Sequence, residues 1–348
     1  MQVQEAKQIA REWVQEEGHL PGFGGAFTHG SINWLPDDAP LPPTSDVDLM
    51  LVVDRPAEHP KRGKFRHRGV TLEVSFLGVD QLETPERILG DYHLAGNFCR
   101  ATLLDDPTGR LASLQETVAR AYARRFWVEA RCRHALAHSR QYLHRRRDGD
   151  PLHIQAMAWL FGAGVTTHVL LVAGLENPTV RTRYVAVQRL LAGYAHVAAC
   201  RGLHQELLEL LGSAALSQAA AGQHLAAMAA AFDAAQAAIR SSFPFGTDIS
   251  PAGRIVAVEG SRALISRGDH REALFWIGVT YCRCMEVLHA DAPAQAARFL
   301  PGFHRLLADL GIGTPADLKQ RCAQVEAFLP RLWTAAEAIL AANPRVLA

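Results

Sequence analysis

The sequence predicts an α+β protein in two parts: a small sheet-bearing domain over residues 1–109, followed by an all-helical bundle domain over residues 110–348. Three observations predict it. Before Gly109, short apolar runs alternate with polar residues or form compact aliphatic blocks, and Gly, Pro and Asp separate them. After Gly109, long Ala/Leu/Arg-rich segments at helical spacing take over, with no fixed repeat period that would indicate a solenoid. Finally, 348 residues are more than one core usually fills.

Val3, Ala6, Ile9, Ala10, Trp13 and Val14 recur at helical spacing and predict an amphipathic first helix, closed by Gly18 and Pro21. An extended piece, Phe23 to Thr28, follows. Gly30-Ser31 then turns the chain into a brief helix that Pro36 ends, and the loop to Thr44 carries Pro40, Pro42 and Pro43. Val47 to Val53 is the next strand. Phe65 to Arg68 and Val70 to Phe76 read as a hairpin turning near Gly69, with Leu72, Val74 and Phe76 on one face and Thr71, Glu73 and Ser75 on the other. Asp80 to Leu89 reads as helix, and Phe98 to Leu104 as a last strand stopped by Asp105-Asp106-Pro107. Helices are then expected over Leu111 to Arg147, Leu152 to Gly174, Val180 to Ala199, Ser217 to Ser241, Ala252 to Arg267, His270 to His289 and Pro315 to Ala342.

The balance of 36 basic against 35 acidic side chains argues against a generic polyanion binder. Six cysteines are scattered without a C-x-x-C pair, which reads as reduced thiols and a cytoplasmic setting. The charged N-terminal stretch lacks the apolar core of a signal peptide. Ile154 to Leu175 approaches the length of a bilayer span, but Gln155, Thr166, Thr167 and His168 interrupt it, so the expectation is a central bundle helix and no membrane.

Chemistry concentrates between His29 and Glu73. In a strand, Asp46 and Asp48 project from one face while Val47 and Leu49 face the core. Two carboxylates this close repel when both are ionised, so the fold must raise a pKa or bring in a cation. Glu73 sits on the polar face of a later strand; if that strand lies beside the first, three acids converge. Hard oxygen ligands clustered in this way suit Mg²⁺, which keeps several waters and takes further ligands from substrate phosphates. Gly30-Ser31 adds a close backbone approach and a helix start that offers N–H groups to a phosphate; Ser31 also suits a helix cap.

Gly30-Ser31, residues 32 to 45, Asp46-Val47-Asp48 and then Glu73 resemble the active-site signature of polymerase-beta-like nucleotidyltransferases, over about residues 20 to 105. The plan of a small mixed-sheet nucleotidyltransferase domain before a helical domain is similar to the antibiotic nucleotidyltransferases that act on aminoglycosides and lincosamides. The resemblance implies that Gly30 and Ser31 hold nucleotide phosphates, that Asp46 and Asp48 bind two metals, and that Glu73 binds the catalytic one. It implies a Mg²⁺-dependent, nucleoside triphosphate-binding enzyme, with ATP among the candidate nucleotides, that transfers a nucleoside monophosphate to a hydroxyl of a small-molecule acceptor and releases pyrophosphate. A nucleic-acid template is not expected, and a homodimer is admissible. The family's gap between Gly-Ser and the acid pair is usually shorter, so the proline-rich insertion is expected to reshape the nucleotide entrance. The alternative is an antitoxin-like or regulatory module of the same fold that modifies or binds a partner protein.

Other candidates carry less. His134 and His138 share a helix face without an evident third ligand. Arg124, Arg125, Arg131, Arg133, Arg140, Arg145, Arg146 and Arg147 make one segment basic, which suits solvated faces, acid partners or a phosphate. Glu129, His134, His138, Glu259, Asp269 and Glu272 are all admissible as general base. The stretch Ser250 to His289 reads as a bundle helix pair turning at Gly268-Asp269.

Overall fold

The computed structural model describes residues 1–59 and 62–348, and the chain divides into two compact units. The fold is α+β, with a five-stranded mixed sheet in the first unit and a helical second unit. The first unit comprises Met1–Arg131 with Arg345–Ala348; the second is Cys132–Pro344.

In the first unit helix α1 (Val3–Glu17) precedes strands β1 (Phe23–His29), β2 (Val47–Val53), β3 (Gly63–His67) and β4 (Val70–Gly78). Helices α2 (Pro85–Gly90) and α3 (Ala95–Phe98), strand β5 (Leu103–Asp105) and helix α4 (Arg110–Ala121) follow. The sheet order is β3-β4-β2-β1-β5, with β2 and β4 parallel and the other neighbours antiparallel. Alternation along the strands gives two cores. Val47, Leu49, Leu51, Leu72 and Val74 pack with Ala6, Ala10, Trp13 and Val14 of α1. On the opposite face Phe27, Val52 and Leu77 pack with Ile88, Leu89, Phe98, Leu111, Leu114 and Val118.

Two connections are set by backbone chemistry. Arg68 and Gly69, with φ of 44° and 84°, form the two-residue turn of the β3–β4 hairpin, so His67 faces Val70 and the register follows. Arg68 then reaches Glu12 and Glu16 of α1 at 2.6 and 2.9 Å. The proline-rich loop caps α1: the Ala39 and Asp37 carbonyls accept from the Val3 and Gln4 amides at 2.9 Å each, donors that no intrahelical carbonyl serves.

The segment expected as a strand over Phe98 to Leu104 is instead the end of α3, a turn, and the short β5. Phe98 is buried by packing on Phe27 across ring centroids 5.1 Å apart, and that apolar contact, not strand pairing, explains its place. The expected boundary at residue 109 marks where the sheet ends, whereas the units divide at Arg131, because α4 supplies Leu111, Leu114 and Val118 to the core of the first unit.

The stretch read as one helix from Leu111 to Arg147 is two, α4 and α5 (Arg125–His144), and the division between units falls within α5. Next come α6 (Leu152–Ala173), α7 (Arg183–Gly193), α8 (Leu203–Leu211) and α9 (Gln218–Ala238). After them, α10 (Pro251–Arg254) passes through a π-helical turn, Ile255–Glu259, into α11 (Gly260–Ser266). Helices α12 (His270–Asp291), α13 (Pro293–Asp309) and α14 (Pro315–Ala342) complete the unit; α8 and α13 lie in stretches the sequence left unassigned. Among the described residues one helix, α6, is long and apolar enough to cross a membrane, and 89% of its apolar window is buried inside the structure. Its glycines serve close packing: a Cβ on Gly162 would stand 2.5 Å from Leu143, and one on Gly164 would stand 2.6 Å from Phe275. All six cysteines are free thiols.

Candidate functional site

Register places the titratable groups in one row across the sheet. Lys64 of β3 faces Glu73 of β4, Glu73 faces Asp48 of β2, and Asp48 faces His29 of β1. Facing residues in a sheet share a face, so the four side chains stand on the side opposite α1. Asp46, two residues before Asp48, joins them from the shoulder of β2. Each of Asp46, Asp48 and Glu73 offers a carboxylate oxygen, and these lie within 4.8 Å of one another. Among the described residues this is the group of acids and imidazoles that could hold a metal ion. The three predicted carboxylates are therefore brought together.

The fold answers their repulsion in both of the available ways. The Lys64 ammonium lies 2.6 Å from Asp46 Oδ2 and also bonds Glu73, with its side chain only 9% exposed. Asp48 joins that cluster through Glu73, with which it shares a hydrogen bond. Burial first, then the charges of Asp46 and Glu73, push its carboxyl well above the usual carboxylate range, against the pull of Lys64. The donor set itself fits a hard divalent cation: three carboxylates from adjacent strands, already holding a cationic nitrogen.

Gly30 closes the far side. Its φ is +75°, and a Cβ there would lie 2.5 Å from Asp48 Oδ2, so both conformation and space demand glycine. The brief helix that follows, Gly30–Trp34, is a 3₁₀ turn of five residues with His29 at its N-cap position, so Ser31 lies inside the turn and is not its cap. So short a turn has little dipole to offer a phosphate.

A buried polar network holds this turn. Thr28 Oγ1 donates to Asn33 Oδ1 at 2.6 Å, Asn33 Nδ2 donates to Asn97 Oδ1 at 3.2 Å, and Thr102 Oγ1 donates to the Asn97 carbonyl at 2.5 Å. Asn97 Nδ2 donates to His29 Nδ1 at 2.7 Å, which leaves the ring proton on Nε2. Burial holds the His29 imidazole below its usual pKa, against the pull of Glu73 and Asp91, so it is neutral at pH 7.

His29 and Lys64 are the site residues that sequence reasoning missed. A signal for Lys64 was present: a two-residue turn at Arg68-Gly69 fixes His67 opposite Val70, and counting back three places puts Lys64 opposite Glu73. His29 precedes the Gly-Ser pair, and only the antiparallel register of β1 sets it against Asp48.

The remaining candidates have other partners. His134 and His138 stack edge to face at 4.6 Å on α5, and no metal-ligating group among the described residues includes them. Arg131 is buried, donates to the Leu89 and Tyr122 carbonyls at 3.1 and 2.7 Å, and lies over the Tyr122 ring. Glu129 pairs with Arg125, Glu259 with Arg262 and Asp269 with Arg267. Glu272 is buried 3.3 Å from His204, and burial raises its pKa. Comparison of the chain with models of known protein families and with curated proteins found no match to either.

Proposed function

We propose that the protein is a Mg²⁺-dependent nucleotidyltransferase that passes a nucleoside monophosphate from a nucleoside triphosphate to a hydroxyl of a small-molecule acceptor. The observation that carries this reading is the convergence of Asp46, Asp48 and Glu73 beside Gly30. Three ionisable carboxylates on neighbouring strands serve a soluble fold poorly unless a cation is their purpose.

The reaction forms a bond from the acceptor oxygen to the α-phosphorus and breaks the α–β phosphoanhydride, so pyrophosphate leaves and the hydroxyl proton passes to a base. Asp46, Asp48 and Glu73 would hold the divalent cations, whose chemistry here is charge neutralisation and alignment of phosphate oxygens. Gly30 keeps the backbone near Asp48 free of a side chain that would intrude on it. Neutral His29 presents an Nε2 proton from the same face of the sheet, a donor suited to a phosphate oxygen.

The test is to incubate the full-length protein with each common ribonucleoside triphosphate and Mg²⁺ against a panel of hydroxyl acceptors, following pyrophosphate release. Release that requires both Mg²⁺ and an acceptor, and that Asp46→Asn and Glu73→Gln each abolish, is the expected result. No release with any triphosphate, together with no triphosphate binding, would refute the reading.

A further inference from the structure

Lys64 carries the same sign of charge as a divalent cation and stands at the carboxylates that would hold one. It lies on β3, at the edge of the sheet, where a lysine ordinarily keeps its head in water. Here the side chain turns inward past its register partner Glu73 and reaches Asp46 at 2.6 Å, on the far side of β4. The atoms it bonds are Asp46 Oδ2 and Glu73 Oε2, from two of the three residues in the metal-capable group. Those oxygens cannot fully serve an ammonium and a divalent cation together, because two cations a few ångströms apart repel.

We propose that Lys64 is a resident counter-ion that opposes binding of a lone divalent cation at the triad and pairs instead with the triphosphate when cation and nucleotide enter together; this rests on the nucleotidyltransferase reading. An ammonium displaced from Asp46 and Glu73 needs another anion within reach of its four-carbon stem. A polyphosphate bound against the same carboxylates through the cations supplies one. The same side chain then weakens the cation alone and strengthens the polyphosphate, so each ligand favours the other.

The test is calorimetry on the full-length protein with Mn²⁺ as probe, and then with inorganic tripolyphosphate at fixed excess Mn²⁺. Lys64→Met is expected to bind Mn²⁺ alone about tenfold tighter than wild type and the Mn²⁺-loaded tripolyphosphate about tenfold more weakly, while Lys64→Arg follows wild type. Opposite signs are the signature, since a merely structural loss would weaken both. Circular dichroism checks folding, and Lys64→Gln, neutral but able to hydrogen-bond the carboxylates, gives the same readout if the methionine variant does not fold. Equal or weaker Mn²⁺ binding in the neutral variants overturns the role of Lys64 alone. No Mn²⁺ binding by any of the proteins overturns this role together with the reading beneath it.

Discussion

Some buried hydroxyls of the helical unit and the buried polar side chains near the candidate site are satisfied in different ways. In the helical unit the buried hydroxyls of Thr166, Thr167 and Ser261 each donate to a carbonyl within their own turn, at Ala163, Gly164 and Ala257. Such groups are satisfied locally and tell their neighbours little. In the sheet unit Thr28, Asn33, Asn97 and Thr102 satisfy one another across β1, the 3₁₀ turn, α3 and the residue before β5, and the chain of bonds ends on His29. There, losing one member disturbs all of them. Polar burial is thus a packing detail at these three hydroxyls and the support of the candidate site at the Thr28, Asn33, Asn97 and Thr102 network.

The largest expected break in this contrast is Asp48→Asn. On the proposed function Asp48 is a cation ligand, and its loss should lower pyrophosphate release by roughly a thousandfold, since charge neutralisation carries phosphoryl transfer. The melting temperature should stay level or rise by a few degrees, because a carboxyl repelled by Asp46 and Glu73 is gone. Thermal melts and steady-state assays on the same preparation check both halves. Next comes Asn97→Ala, which strands Asn33 and releases His29 from its fixed tautomer. It should cost about 1–3 kcal/mol in denaturant unfolding and reduce turnover about tenfold, the double effect that a connected network implies.

The helical unit supplies the smaller effects. His153 of α6 is buried and stacks on His289 at 5.0 Å; burial chiefly, and then the His289 charge, hold its pKa at about 4. Its folded pKa lies below its unfolded value of 6.5, so the unfolded chain binds the proton first. Its stabilising contribution is therefore full above about pH 6.5 and lost as pH falls towards 4. Melting temperatures measured across that window should fall for the wild type and fall several degrees less for His153→Phe. The smallest change is Thr167→Val, which removes a bond confined to its own turn and should cost under about 1 kcal/mol with turnover unchanged. Loss of turnover there would erase the contrast between the units.

Much of the site was legible because strands have a period of two. Asp46, Asp48 and Glu73 follow from that alternation once β2 and β4 are neighbours, and the sequence states the alternation though not the neighbourhood. Lys64 escaped notice because the hairpin was expected to start at Phe65, which left the lysine in a polar linker, whereas β3 starts at Gly63 and its register turns Lys64 inward. The buried network escaped for a similar reason, since Asn97 and Asn33 are 64 residues apart and Asn has no periodic signature. In the helical unit, α6 and α14 announced themselves by length and by the punctuation at their ends, while Pro301 inside α13 and the shortness of α8 hid both. Phe98-Cys99-Arg100-Ala101-Thr102 mimicked a strand because aromatic and β-branched residues that pack on a sheet look like those that belong to it.

The most direct measurement is an anomalous diffraction map from crystals grown with Mn²⁺ and a non-hydrolysable triphosphate. A manganese peak at coordination distance from oxygens of Asp46, Asp48 and Glu73 is expected, with the Lys64 ammonium moved onto a phosphate. Manganese bound elsewhere, or Lys64 still bridging Asp46 and Glu73 beside bound nucleotide, would contradict it.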